Sequence, residues 1–234
     1  MERDAAFWKS FAKRAVQVLF GLLLMVAAFF LSAGTTDLPR AWLFFGIYAV
    51  ALVFNLAVFL KYNPEVIAAR GEIVKPGGMK WWDKAFSVVY TLLIVVIVVV
   101  CGLDAGRLHL SSLGIEFLPV GIAVFAAGWS LVSWAMIENK FFECSVRIQK
   151  DRGQTVVSKG PYAIVRHPGY AGMTLMYLAM PFGFGSLYGL IPALVLAGAF
   201  VFRTHFEDEM LQKELKGYKE YAKKVKYRLL PGVW

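Results

Sequence analysis

The sequence predicts an all-α integral membrane protein that crosses the bilayer about five to six times, the last two passes forming a short helical hairpin. Three observations carry that expectation. The 234 residues are 59% hydrophobic and only 18% charged, where a soluble domain averages nearer a quarter charged. The apolar residues come in blocks, Ala15 to Ala33, Ala41 to Leu60, Ala85 to Leu103, Phe117 to Ile137 and Tyr170 to Phe202. Each of the first four is ~20 residues, the length that crosses ~30 Å of hydrocarbon as a helix. The basic residues are also sorted by loop. Lys and Arg number 4 ahead of the first block, 5 in 61–84, 6 in 139–168 and 8 in 203–234, so 23 of 25 share one side if the segments alternate.

The positive-inside rule assigns that side, and with it both termini, to the cytoplasm. The net charge of +9 therefore reads as membrane orientation and not as a nucleic-acid surface. The first block is too long for the apolar core of a signal peptide, lacks a small-x-small cleavage site and is followed by further spans. Ahead of it, "ERDAAFWKSFAKR" interleaves aromatics with cations, as an interfacial anchor does. The loop 61–84 carries Pro64, Pro76 and Gly77-Gly78, with Trp81 and Trp82 marking the interface; it reads as structural. Residues 1–137 thus form an N-terminal region of four spans, and 138–234 a second region. In the second, 170–202 must leave and return on the same side, turning near "GFGSLYG" (183–189). Each arm then has ~17 residues, the short limit for a span.

Cys101 and Cys144 fall on opposite sides of this topology, so no disulfide is expected between them. The cysteines form no metal pattern, and His109, His167 and His205 are too scattered for a zinc site; no metal is expected. Chemistry is expected in two of the four basic patches. In the first, "ENKFFECSVRIQKDRGQTVVSKGPYAIVRHP" (138–168), Asp151-Arg152-Gly153 signals a turn between extended stretches. His167 is biased to extended backbone by Pro168, and Pro168 suits the first turn of a helix. A helix N-terminus beside Arg166 would suit a small anion, a carboxylate or phosphate; equally, Arg166 could reach to lipid headgroups. In the second patch, 202–234, Arg203 and Glu207 stand at i,i+4 on one helix face. An ionisable pair at bilayer depth marks a functional site by default, although a plain salt bridge would give the same spacing. Leu211, Leu215, Tyr218, Tyr221 and Val225 continue the helical spacing as a C-terminal amphipathic helix, and the lysines around them read as a solvated or lipid-facing face.

The order "GPYAIVRHPGYAG", a short hairpin, "R-x-x-x-E-D-x-x-L" and "GYKEYAKKVKYRLLPG" resembles the isoprenylcysteine carboxyl methyltransferase family. These are membrane-embedded S-adenosylmethionine-dependent methyltransferases, related also to phospholipid N-methyltransferases. The resemblance covers about residues 138–234; the spans before it match only in being hydrophobic. It implies an S-adenosyl-L-methionine pocket on the cytoplasmic side and an acceptor that arrives from the membrane. By resemblance, cofactor contacts fall on Gln149, with spacing that differs by a residue or two, and on Gln154, Thr155, Val156 and Val157. Gln154 stands where the eukaryotic enzymes have histidine. Further contacts fall on Tyr162, His167, Pro168, Gly169, Tyr170 and Glu207. Arg203 falls on the family's substrate-carboxylate arginine, and Arg203 and Glu207 are the implied catalytic pair.

The physical chemistry of those residues agrees with this. The start of the helix at Pro168 suits the cofactor's carboxylate, the Tyr162 and Tyr170 rings suit adenine or the sulfonium, and Glu207 suits the ammonium. Methyl transfer is a direct displacement that mainly needs positioning and exclusion of water. The expected partners are membrane lipids and a lipophilic or small acceptor with a carboxylate, a lipid amine or a thiol. Two other readings remain open. One is an NADPH-dependent membrane reductase, since sterol reductases share the family's fold; it would need a polar donor within the spans, and the sequence offers no clear one. The other is a non-catalytic carrier or scaffold, which would need a polar path through the first four spans.

Overall fold

A computed structural model describes residues 5–71, 79–111 and 113–234. Eight helices follow one another: α1 (Ala5–Ala33), α2 (Pro39–Tyr62), α3 (Pro64–Gly71), α4 (Trp81–Leu103), α5 (Phe117–Glu138), α6 (Pro168–Phe184), α7 (Leu190–Glu214) and α8 (Tyr218–Lys224). The described residues contain no strand. Among the described residues five helices, α1, α2, α4, α5 and α7, are long and apolar enough to cross a membrane; α6 has 17 residues, whereas α7, expected as an equally short arm, has 25. The chain is therefore an all-helical membrane protein with five such helices plus the shorter α6.

The apolar surface has the membrane pattern. Leu19, Phe20, Leu23 and Leu24 on α1, Val50, Val53 and Phe54 on α2, and Val88 and Leu92 on α4 are all exposed. In water this would be a large aggregating patch; against hydrocarbon it costs nothing. Inside, Phe29, Phe44, Ile97, Phe125, Phe184, Leu196 and Phe200 form one core that joins α1, α2, α4, α5, α6 and α7. Its aromatic centre includes Phe29 against Phe184, with ring centroids 4.6 Å apart.

Helices α5 and α6 pack closely through glycines. A Cβ at Gly128 would lie 2.6 Å from the Gly172 carbonyl oxygen, and one at Gly172 2.6 Å from that of Gly128. The absence of side chains at both places is what lets the backbones approach, the usual source of helix contact where lipid supplies no hydrophobic drive.

The two ends of the bundle differ. At one end Arg40 from the start of α2 caps the C-terminus of α6, donating to the Gly183 carbonyl (3.1 Å), the Phe182 carbonyl (2.5 Å) and the Leu113 carbonyl (2.6 Å). Buried Asp104 accepts from Ser186 there at 2.6 Å, and from Ser111. These bonds satisfy groups that hydrocarbon would leave orphaned. The opposite end gathers the start of α4, the ends of α2, α5 and α7, and the start of α6. Asn63 there donates to the Met136 carbonyl at 2.8 Å.

Several local expectations change at that end. The "AFWKSFAKR" stretch forms the first turns of α1, with Phe7 buried and Trp8 exposed. Trp81 is exposed as an interface marker would be, but Trp82 is buried against Val146, Met210, Leu211 and Tyr218. Pro76, Gly77 and Gly78 lie outside the described residues. The Asp151-Arg152-Gly153 signal is a tight helical turn at Lys150–Arg152, which Gly153 closes at φ +60°. The C-terminal helical spacing is real but interrupted: α7 stops at Glu214, Gly217 turns the chain at φ +85° where a Cβ would be strained, and α8 begins at Tyr218.

Candidate active site

The cavity at this end, 260 Å³ in volume, is walled by α4, α6, α7, α8 and the segment 139–167. Eleven of the twelve expected site residues line it: Gln149, Gln154, Thr155, Val156, Val157, Tyr162, His167, Gly169, Tyr170, Arg203 and Glu207. The twelfth, Pro168, does not. It is buried as the first residue of α6, where its fixed φ starts the helix; its role is to shape the backbone. Next to it, Gly169 leaves room for the Phe142 ring, which a Cβ would approach to 2.4 Å.

The residues of the loop wall first hold one another. Gln149 is buried, donates to the Phe141 carbonyl at 2.7 Å and accepts from Arg152 at 2.9 Å, and its backbone N–H donates to Gln154 Oε1 at 2.7 Å. Arg147 bridges Glu143 and Asp151, and the Asp151 carboxylate foremost raises the guanidinium above its ordinary range. The Tyr162 hydroxyl accepts from Asn139 at 3.1 Å, and its carbonyl accepts from the Tyr221 hydroxyl at 2.7 Å. Burial pushes both phenols up.

The "RHP" turn is held by partners that its sequence does not show. Arg166 is not a free anion receptor. Its Nε and Nη2 donate to Asp208 at 2.7 and 2.9 Å, and its Nη1 to the Val225 and Lys226 carbonyls. Burial alone would lower this guanidinium, but the Asp208 contacts raise it on balance. Asp208, fully buried on α7, is the hub of the C-terminal region. It also accepts from Tyr218 (3.0 Å), Arg228 (3.0 Å) and Gln212 (2.8 Å), and lies 3.2 Å from His167 Nε2. The backbone follows suit, with the N–H groups of Arg166 and His167 donating to the carbonyls of Tyr227 and Arg228. A buried charge of this kind is tolerable only when so many donors surround it.

Arg203 and Glu207 both face the cavity from α7, as the i,i+4 spacing implies, but each has another partner. Arg203 Nη2 lies 2.7 Å from Asp83 Oδ1 and donates to the Cys144 carbonyl at 2.8 Å. Its guanidinium sits 4.4 Å from the Phe86 ring centroid and 5.2 Å from that of Tyr170, a cation between two π faces. Its Nε is buried without a hydrogen-bond partner among the described residues. Glu207 Oε2 accepts from the Tyr170 hydroxyl at 2.5 Å, and the Tyr170 ring stacks on His167.

The lining continues through Arg70, Ser87, Tyr90 and Thr91. Arg70 Nη1 is another buried donor without a hydrogen-bond partner among the described residues. The Tyr90 hydroxyl bonds that of Tyr177 on α6, so the spans do contain a polar pair next to the cavity. Sequence reasoning passed over Asp83, Asp208, Arg70 and Tyr90. The available signals were an acid inside "WWDKAF" at a span boundary and the second acid of "FEDE".

Comparison with known proteins now bears on this geometry. Residues 117–217 match the phospholipid methyltransferase family model. This part of the chain is therefore similar to the phospholipid methyltransferases. The family region runs from α5 to the turn before α8 and so contains most of the cavity wall. The chain superposes on the solved eukaryotic intramembrane Ras methyltransferase, isoprenylcysteine carboxyl methyltransferase, with a TM-score of 0.60 over 91% of this chain and 74% of that one, at 18% sequence identity; this likeness is one of fold. The chain is also 34% identical over 85 residues to Delta(14)-sterol reductase TM7SF2 of Mus musculus, which covers 35% of this chain and 20% of the reductase. It thus spans about a fifth of that relative's length.

Proposed function

We propose that the chain is a multi-pass membrane methyltransferase that uses S-adenosyl-L-methionine and acts on a lipophilic or membrane-partitioned acceptor, with its pocket on the cytoplasmic side. The observation that carries this reading is the convergence of eleven of the twelve expected residues on one cavity. The residues present fit the cofactor. Glu207 has its Oε1 free of hydrogen bonds among the described residues, which suits an ammonium. Arg70 Nη1 is a buried unpartnered donor of the kind a carboxylate satisfies. Tyr162, Tyr170, Tyr218 and Tyr221 offer aromatic faces for adenine and for the sulfonium cation. When bound, S-adenosylmethionine supplies an activated methyl group.

The chain's own residues then have three tasks. The Tyr170–Glu207 bond holds the carboxylate in place, since Tyr170 is fixed in turn by stacking on His167. The 139–167 wall and α8 exclude water, which raises the reactivity of any acceptor lone pair. Arg203 keeps Nε for the acceptor, its Nη2 being taken by Asp83 and Cys144. An arginine already paired in this way directs a polar group more than it neutralises a full anion, so carboxylate, amine and thiol acceptors all remain compatible. Calorimetric titration of the purified protein with S-adenosylhomocysteine tests the reading: saturable binding is expected, and none with NADPH.

A second reading, an NADPH-dependent membrane reductase, has a specific observation behind it. The Tyr90–Tyr177 hydroxyl pair is the polar donor within the spans that such a reaction needs, and the partial relative is a sterol reductase. NADPH binding with no S-adenosylhomocysteine binding would select it.

A further inference from the structure

Asp83 belongs to a stretch that reads as structural, yet its carboxylate is where three walls of the cavity meet. It lies in the first turn of α4 and is completely buried. A negative charge there is favoured by the helix dipole, but burial demands partners. It has two. Oδ2 accepts the backbone N–H of Val146 at 2.7 Å, and Oδ1 lies 2.7 Å from Arg203 Nη2. Arg203 Nη2 itself donates to the Cys144 carbonyl, two residues before Val146. Asp83 and Arg203 therefore hold the Cys144–Val146 segment as a pair, and the same contact fixes the guanidinium between Phe86 and Tyr170. Tyr170 is in turn the donor to Glu207.

From this closed set of contacts we infer that Asp83 is a positioning residue: through its ion pair it sets both the Arg203 guanidinium and the Cys144–Val146 wall against the ligand. The inference rests on the reading of this cavity as the methyl-transfer site. A residue that only held the fold together would lower the thermal midpoint and leave the affinity and Cys144 reactivity of the folded protein unchanged, whereas a positioning residue changes both, and does so through Arg203.

Cys144 supplies a local reporter. Its thiol is free and exposed on the gripped segment, while the other cysteine, Cys101, is buried. The full chain in detergent or nanodiscs is compared as wild type, Asp83→Asn, Arg203→Met and the double variant. The readouts are S-adenosylhomocysteine affinity by calorimetry and the rate of Cys144 alkylation by N-ethylmaleimide. Asparagine keeps an acceptor for the Val146 N–H but removes the charge. Asp83→Asn is expected to speed alkylation about fivefold and, through the loosened Cys144–Val146 wall, to weaken S-adenosylhomocysteine about threefold, the scale of one neutral hydrogen bond. Arg203→Met is expected to do the same, and the double variant to be no worse than either, because the pair acts as a unit. Wild-type rate and affinity in Asp83→Asn would overturn the inference, and so would effects that multiply in the double variant. Should Asp83→Asn fail to fold, the double variant decides, since removal of both charges leaves neither buried alone; a wild-type alkylation rate there refutes the inference. If the wild-type protein does not bind S-adenosylhomocysteine, the cofactor reading fails, and the alkylation rates still decide the role of Asp83.

Discussion

Glu207 and Asp208 are adjacent in the sequence and opposite in circumstance. Glu207 faces the cavity with one bond from Tyr170, whereas Asp208 faces inward with five side chains around it. Their substitutions should therefore separate binding from stability. We expect Glu207→Gln to weaken S-adenosylhomocysteine about tenfold, since it loses a charged contact worth about 1.5–3 kcal/mol, with little change in thermal midpoint. We expect Asp208→Ala to cost about 3–5 kcal/mol of stability, because it leaves Arg166 buried without its counter-ion. Thermal unfolding alongside calorimetry checks both, and a Glu207→Gln protein that loses stability but not affinity would remove Glu207 from the cofactor site. His167→Ala falls on the stability side, since His167 Nε2 faces Asp208. Here the sequence shows only half of the arrangement, for a physical reason. "RHP" is a turn with two basic groups, and nothing local shows that their counter-charge comes from the next-to-last helix.

Among the elements, α5 and α6 set where the cavity's floor begins, because their contact fixes the start of α6. Substitution of Gly128 by leucine should drive the helices apart, because the nearest neighbours of the new side chain are backbone atoms of α6 at 2.6 and 2.9 Å. Overpacking of this kind costs about 1–3 kcal/mol or more where the neighbour is backbone. Gly21→Leu on α1 is the control, as nothing lies within 4 Å of its Cβ position. We expect the first to lower both thermal midpoint and S-adenosylhomocysteine affinity, and the second to change neither. α8 gives a pH signature. Burial, joined at Tyr218 by the Asp208 charge, holds the phenols of Tyr218 and Tyr221 above their ordinary value, and burial does the same for Tyr162. Above about pH 10 the unfolded chain releases these protons while the folded one retains them, so stability falls as pH rises. Thermal midpoints that decline above that pH, ahead of tyrosinate absorbance, are the expected result.

At the scale of the whole molecule, the spans could be read from composition because hydrocarbon permits so few solutions: a ~20-residue apolar run has to be a helix. The convergence of the site was legible only through the ordered motif of 138–234, since pattern and spacing place residues on a face but not against a distant helix. Asp83 shows the limit, as its partners Val146 and Arg203 are brought to it only by the packing of α4 on α7. The arrangement also sharpens the expectation of sidedness. The chain's last residues belong to the cavity end: Trp234 accepts from the Arg228 N–H, and the Arg228 carbonyl accepts from His167. Arg40, Arg107 and the loop to Leu110 lie at the other end. Since the basic segments 140–166 and 203–228 belong to the cavity end, we expect the positive-inside rule to put that end in the cytoplasm. In a Cys144→Ser background, where Cys101 remains buried, single cysteines at Val233 and Leu110, which are 77% and 60% exposed, report the two ends. A membrane-impermeant maleimide should label Leu110→Cys in intact cells and Val233→Cys only after permeabilisation. The reverse pattern would put the cavity outside, away from any intracellular pool of S-adenosylmethionine, and the proposed reaction would fall with the topology.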